Sequence, residues 1–273
     1  MKQNDQNKIQ RVLITGASKG IGFAIAKKLV QFPEKYRIYG TSPDTPIVEN
    51  KNKIKEVTYF NLDLSDPLSI ASLIDDLPEI DILINNAGCS HNGPVEEIPI
   101  DRVREYFEIN FFGTLALIQA YLPNMRKNRK GHIINITSMA GMTPVPFSTI
   151  YAASKAALNA LTLGLENEVR SFGIKVLSIA PFEVRTTMPQ EIIIKPNSEY
   201  RSLTKTVKNA RDKKIAHGPS PGIVGDLVAK ILTLRHPKRF YPAGKYPKIK
   251  YFFIKHLPQR LVARGTRKIF GLT

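Results

Sequence analysis

"RVLITGASKGIG", residues 11–22, decides how the rest of the chain is read. Its first half is a short apolar run closed by a glycine, the form of a strand buried on both faces. Its second half runs into "IGFAIAKKLVQF" (21–32), whose apolar residues recur with a helical period and stop before Pro33. Between the two, Gly16, Gly20 and Gly22 permit a tight turn, a close approach of backbone to a phosphate and close packing of helix on strand. A helix starting from such a loop offers unpaired N–H groups and the positive end of its dipole to pyrophosphate. Three glycines alone are a weak signal. Placed between a first strand and a first helix, they predict a dinucleotide loop.

The same alternation continues outward. "YRIYGTS" (36–42), part of "EVTYFNLDLSD" (56–66), "IDILINNAG" (80–88), "GHIINITS" (131–138) and "KVLSIAP" (175–181) read as five further strands. "SDPLSIASLIDDL" offers a Ser or Asp cap with Pro67 early in a helix. Further helices are expected over about 101–127, 149–172 and 222–235, the second stopping at Gly173. Strands alternating with helices at this pitch predict an α/β fold with a doubly wound parallel sheet. Residues 1–244 are read as one domain with an irregular excursion from 182 to about 217, and 245–273 as a basic tail.

Composition narrows the classes. With 273 residues, 42% apolar and 23% charged, the chain has an ordinary globular make-up. The single cysteine, Cys89, excludes an intramolecular disulfide and fits a reducing cytoplasm. Five scattered histidines lack ligand spacing, so no metal is expected. The polar start "MKQNDQNKIQ" predicts no secretory leader, and no apolar run approaches the length of a membrane span. The formal net charge is +17, and beyond Asp226 there are twelve Lys or Arg and no acid. Such a block calls for an anionic partner or a well-solvated surface.

The glycines are spaced G-x-x-x-G-x-G; "NNAG" (85–88) closes the fourth strand and Asn110 lies in the next helix. Ser138 ends the fifth strand, and Tyr151 and Lys155 of "YAASK" follow it by thirteen and seventeen residues. In this set and order the chain resembles the short-chain dehydrogenase/reductase family over roughly residues 10–190. Its layout is nearest to hydroxysteroid and retinol dehydrogenases. The resemblance implies a Rossmann-like sheet and hydride transfer between a nicotinamide dinucleotide and a carbonyl or alcohol. It assigns Tyr151 as proton donor, Ser138 as holder of the substrate oxygen, and Lys155 to the nicotinamide ribose. Asn110 would hold a water that links Lys155 to solvent. Cofactor contacts carry over to Gly16, Ser18, Lys19, Gly20, Ile21, Gly22, Asn86, Ala87 and Gly88, with Asp63 and Leu64 at the adenine and Pro181, Val184 and Thr186 after the sixth strand. One departure stands out: the family's Pro-Gly is here Pro181-Phe182.

Physical chemistry gives "YAASK" the same meaning. Residues four apart share a helix face. A tyrosine hydroxyl titrates near pH 10, and an ammonium beside it stabilises the phenolate. A general acid works best when its pKa lies near the operating pH. Ala152, Ala153, Ala156 and Ala157 keep the surrounding surface thin. Alone, such a pair is an interfacial tyrosine beside a solvated lysine; together with Ser138, Asn110 and the glycine loop it predicts catalysis.

The cofactor expected is NADP(H). Sheets that bind NAD usually end their second strand with an acid for the ribose diol, whereas this strand ends at the neutral Ser42. Lys19 stands where NADP-preferring members often carry a basic residue, and Asp44 falls two residues late. The apolar Met139, Met142, Val145, Pro146, Phe147 and Phe182 suit a small lipophilic carbonyl or alcohol substrate. Ser138, Phe147, Tyr151 and Phe182 are the expected substrate contacts, and His91 reads as an exposed loop residue.

In the tail, Ile249, Phe252, Phe253 and Leu257 form one helical stripe, and Arg260, Arg264, Arg267 and Lys268 oppose Leu261 and Ile269. Such a segment lies on an anionic membrane surface or packs its stripe on the domain. The expected location is cytoplasmic, and peripheral at the membrane in the first of these two cases. The family habit implies a homodimer or homotetramer through the helices at 101–127 and 149–172, where Ala153, Ala160 and Gly164 allow close packing. Two rival readings are a non-catalytic nucleotide-sensing module that binds a protein partner, and a nucleic-acid binder. The intact catalytic set argues against the first, and the lack of a recognised motif argues against the second.

Overall fold

The computed structural model describes residues 9–43, 53–188 and 190–272. The expectations for the first eight residues and for Asp44 lie outside them. Strand β1 (Gln10–Ile14) sits inside a seven-stranded parallel sheet. On one side it pairs with β2 (Tyr36–Ser42), and β2 with β3 (Val57–Asn61). On the other it pairs with β4 (Ile82–Asn85). In chain order β5 (Ser90–Asn92) stands apart, and the sheet continues through β6 (Gly131–Ile136) and β7 (Ile174–Phe182). β5 pairs in parallel with β8 (Gln190–Ile192), and the main sheet ends at β9 (Phe240–Gly244).

The sheet has two cores because side chains alternate across each strand. Val12, Ile14, Ile82, Ile84, Leu177 and Ile179 enter one core, covered by α1 (Gly20–Leu29) through Ile25, Ala26 and Leu29. Leu13, Leu83, Ile133 and Val176 enter the other, covered through Ile70 and Leu73 of α2 (Pro67–Asp76). Asp66 supplies the cap of α2, its carboxylate accepting from Leu68 N at 2.9 Å, with Pro67 in the first helical position. Strand order reverses between β1 and β4, one leading toward β2 and the other toward β6. A doubly wound sheet opens its ligand crevice at that point, beyond the carboxyl ends of the strands.

Four features differ from the sequence reading. The helix expected over 101–127 is two, α3 (Ile100–Phe107) and α4 (Gly113–Lys127), joined by a π-helical turn, Glu108–Phe112. A π turn inserts an extra residue into the helical ladder, and Asn110 sits on it, fully buried. After α5 (Thr149–Val169), which ends through a short 3-10 turn at Gly173, the supposedly irregular excursion holds β8 and α6 (Arg201–Ala216). Only Thr204 and Val207 of α6 are buried, so it carries almost no apolar period to read. Following α7 (Gly222–Leu232), β9 was hidden by Pro242; an edge strand tolerates a residue with no N–H.

The tail forms α8 (Pro247–His256) and α9 (Gln259–Ile269). Tyr251 stacks on Phe240 at 4.8 Å, Lys250 Nζ lies 2.6 Å from Glu183 Oε2 and 4.2 Å from the Phe182 ring centre, and Phe270 is buried. The aromatic stripe is not packed on the domain: Ile249, Phe252, Phe253 and Leu257 are 58%, 56%, 51% and 40% exposed.

Candidate active site

The glycine loop is built as its sequence demands. Gly16 has φ +66°, and a β-carbon on Gly22 would lie 2.2 Å from the Gly16 carbonyl oxygen. Any side chain at 22 therefore pushes α1 off the loop. Asn86 fixes the loop to the end of β4, donating through Nδ2 to the Thr15 and Gly16 carbonyls at 2.9 and 3.2 Å. Asn86 N and Ala87 N donate in turn to Thr15 Oγ1 at 2.9 and 3.0 Å. No side chain caps α1, so its first amides point into the cleft unclaimed by a cap.

That cleft has a volume of about 460 Å³ and is lined by Gly16, Ser18, Lys19, Gly20, Ile21, Asp63, Leu64, Asn86, Ala87, Gly88, Pro181, Val184 and Thr186. A thin, uncapped loop opening into a long cleft fits a dinucleotide. Two expected contacts stand behind this lining. Gly22 packs beneath the loop, and Ser42, 1% exposed, shares a hydrogen bond of 3.1 Å with Ser18 Oγ.

Ser138, Tyr151 and Lys155 line the same cleft. Ser138 Oγ accepts from Ala140 N at 3.1 Å and is hydrogen-bonded to the Tyr151 hydroxyl. Lys155, 4% exposed, donates through Nζ to the Ile136 carbonyl at 3.2 Å. Burial lowers its pKa to about 8, so its charge is largely kept at neutrality and fades above it. Asn110 lies behind the lining. Its Oδ1 accepts from Cys89 N at 3.0 Å, and its Nδ2 donates to Cys89 O at 3.0 Å and Ser154 Oγ at 3.2 Å. A β-carbon on Gly88 would stand 2.8 Å from Asn110 Oδ1 and 3.3 Å from Lys155 Nζ, so both groups flank that glycine.

Burial raises the Tyr151 pKa, and the Ser138 hydrogen bond and the positive charge of Arg211 act against that rise. The Lys155 ammonium is turned to the Ile136 carbonyl. Arg211, on α6, reaches the cleft and donates through Nη1 to Ser148 Oγ at 2.7 Å and Asn92 Oδ1 at 3.0 Å, and through Nη2 to Ser90 Oγ at 3.3 Å. Sequence reading missed it. Nothing local distinguishes Arg211 from Lys208, Lys213 or Lys214.

At its apolar end the cleft is lined by Val145 and Phe182, joined by Ala140, Met188, Ile215 and Phe270. Phe147 does not line it. With φ +60°, its ring packs at 6.2 Å from that of Tyr200, and its carbonyl accepts from Gly93 N at 2.8 Å. Met139 is buried, and neither Met142 nor Pro146 is part of the lining. His91 is not exposed: it is fully buried on β5, 4.8 Å from the Tyr106 ring, and burial lowers its pKa to about 4. Cys89 is pushed up to about 11 by burial and stays a thiol.

The sequence profile of the family described as short chain dehydrogenase matches residues 10–197. An uncharacterized oxidoreductase of Bacillus subtilis, YusZ, is 30% identical over 263 residues, covering 90% of this chain and 93% of its own. A 3-ketodihydrosphingosine reductase of Bacteroides thetaiotaomicron is 29% identical over 274 residues, covering 96% and 98%. Among solved structures, a short-chain dehydrogenase from Streptomyces avermitilis superposes with a TM-score of 0.76 at 26% identity, covering 96% of this chain and 99% of its own.

Proposed function

The chain belongs to the short-chain dehydrogenase family, and on that footing we propose that it transfers a hydride between NADP(H) and the carbonyl or alcohol group of a lipophilic compound. The carrying observation is the convergence of Ser138, Tyr151 and Lys155 on the cleft that the glycine loop opens. A bound nicotinamide would supply or accept the hydride. Tyr151 Oη gives a proton to the substrate oxygen as negative charge gathers there, and Ser138 Oγ holds that oxygen in place. Burial keeps the phenol protonated for this role, while Ser138 and Arg211 favour the phenolate it leaves. Lys155 and the loop from Gly16 to Gly22 would hold the dinucleotide, with Asp63 and Leu64 available to its adenine.

NADP(H) is preferred in this reading because Lys19 lines the phosphate end and Ser42 brings no negative charge. The apolar Val145, Phe182, Met188, Ile215 and Phe270 support a lipophilic substrate. The relative named as a 3-ketodihydrosphingosine reductase is consistent with ketone reduction. The exposed stripe of α8 lies in a tail with eight Lys or Arg and no acid from 245 onward, which favours an anionic membrane surface as partner from the cytoplasmic side. Assembly as a homodimer or homotetramer would use α4 and α5. Ala153, Ala160 and Gly164 are exposed, and nothing lies within 4 Å of a β-carbon placed on Gly164.

The test is Tyr151→Phe. Loss of a general acid lowers turnover by roughly 10²- to 10⁴-fold, with the dissociation constant for NADPH little changed. Turnover of the variant within about threefold of wild type would remove Tyr151 from the mechanism.

A further inference from the structure

We propose that Arg211 anchors a carboxylate on the substrate, so that the compound reduced or oxidised is a lipophilic acid bearing the reactive carbonyl or hydroxyl group. The inference rests on the oxidoreductase reading and names the substrate class within it.

A guanidinium at the edge of an apolar cleft is an expensive group to keep, and proteins normally pair it with an acid. Arg211 has no ion pair among the described residues. Its three hydrogen bonds all go to neutral oxygens, on Ser148, Asn92 and Ser90. Hydroxyl and amide oxygens hold a guanidinium in place without cancelling its charge. The acids in the neighbourhood are engaged elsewhere. Glu183 binds Lys214 and Lys250, Asp212 binds Lys208, and Glu105 and Glu191 both bind Arg102. Glu191 also accepts from Tyr106. The buried His91 is neutral at physiological pH and brings no charge to the cluster.

Guanidinium carries five N–H donors. Three are used here, and Nε–H and one Nη2–H have no acceptor among the described residues. A planar fork with two free N–H groups matches a carboxylate, which it can grip through both oxygens. The cofactor's phosphates are not the anion in question, because every hydrogen bond of Arg211 among the described residues goes to β5 or to Ser148 at the start of α5, and none to the glycine loop. Arg211 and Tyr151 line one cleft and each feels the other's charge. An acid held by the guanidinium therefore lies near the proton donor, with Ile215 and Phe270 left for its apolar part.

The experiment compares keto acids with their methyl esters at matched chain length, for wild type, Arg211→Gln and Arg211→Lys, each with NADPH. Binding of simple alkyl carboxylates and their methyl esters to the NADP⁺-loaded enzyme is measured in parallel, without turnover. Wild type should favour the acid over the ester by roughly 10- to 100-fold in kcat/KM and in Kd, the worth of a charge-assisted hydrogen bond. Arg211→Gln should bring the ratio close to one, and Arg211→Lys should fall between. A wild-type ratio near one would overturn the inference, as would a ratio that survives in Arg211→Gln. A drop shared equally by acid and ester, whether from a loosened α6 or from the charge lost near Tyr151, would overturn it too. Absence of NADPH oxidation with acids, esters and neutral ketones alike would instead strike the oxidoreductase reading.

Discussion

Replacing Lys155 by methionine separates what this residue does for catalysis from what it does to stability. The side chain is 4% exposed, and its pKa falls from 10.5 to about 8 because burial penalises the ammonium. That drop corresponds to ~3 kcal/mol of differential cost on the charged form. Methionine keeps the apolar stem and removes the charge, at the loss of the hydrogen bond to the Ile136 carbonyl, 3.2 Å long. A hydrogen bond to a charged group contributes about 1.5–3 kcal/mol, so the net gain in the ligand-free protein is about 1 kcal/mol. For a chain of this size that is a rise in Tm of about 2–4 °C.

The pH dependence fixes the origin of the effect. Because the folded pKa lies below the unfolded one, the penalty is present in full below pH 8 and is relieved as wild type sheds the proton between about 8 and 10.5. The variant's advantage should therefore be largest at pH 7 and narrow toward pH 10. Cys89, pushed up to about 11, stays protonated across that range. The assay is thermal denaturation of both ligand-free proteins from pH 7 to 10, with NADPH turnover alongside, which the variant should lose. A variant less stable than wild type at pH 7, or a gap that does not narrow with pH, would refute the reasoning.

Ser42→Asp places a carboxylate beside Ser18 at the end of β2 and should move kcat/KM from NADPH toward NADH by tenfold or more; a wild type that already prefers NADH refutes the cofactor assignment. The paired change Phe252→Ser and Phe253→Ser should leave Tm nearly unchanged, since both rings are more than half exposed, and should weaken sedimentation with anionic vesicles. Equal sedimentation of the two forms, or of neither, removes the membrane role. Gly164→Arg, set where nothing approaches, should cost less than about 1 kcal/mol in the monomer. By light scattering it should halve the assembled mass if α5 is the interface, and an unchanged mass rejects that interface.

What the sequence made legible follows from how local each signal is. Gly16 to Gly22, and the run from Ser138 to Lys155, declare themselves because a fixed backbone geometry converts their spacing into position. The alternating strands were readable for the same reason, each needing two apolar faces. Arg211 was not legible, because it acts across α6, β5 and α5, and its neighbours in sequence are other solvated cations. Phe147 turns its ring toward Tyr200, because adjacency to Tyr151 in sequence does not fix the direction taken by a residue with φ +60°. His91 reads as an exposed loop residue and is buried, since the short pairing of β5 with β8, 100 residues apart at Ser90 and Gln190, leaves no local trace. The positive charge that Arg211 adds near Tyr151 comes from a residue sixty positions away, which helix spacing does not show.

The place of β9 at the sheet edge has a consequence for biosynthesis. Strand β7 is nine residues long, and its outer side is paired only by residues 240–244. Until those residues have left the ribosome, an apolar parallel strand presents an open edge, the kind that associates with other chains. The nascent protein therefore passes through an aggregation-prone stage that ends only when residues 240–244 have emerged. Residues 245–272 emerge after that point, so the aromatic stripe of α8 becomes available only once the edge above it can close. Synthesis order thus separates the open edge of β7 in time from the exposed stripe of α8.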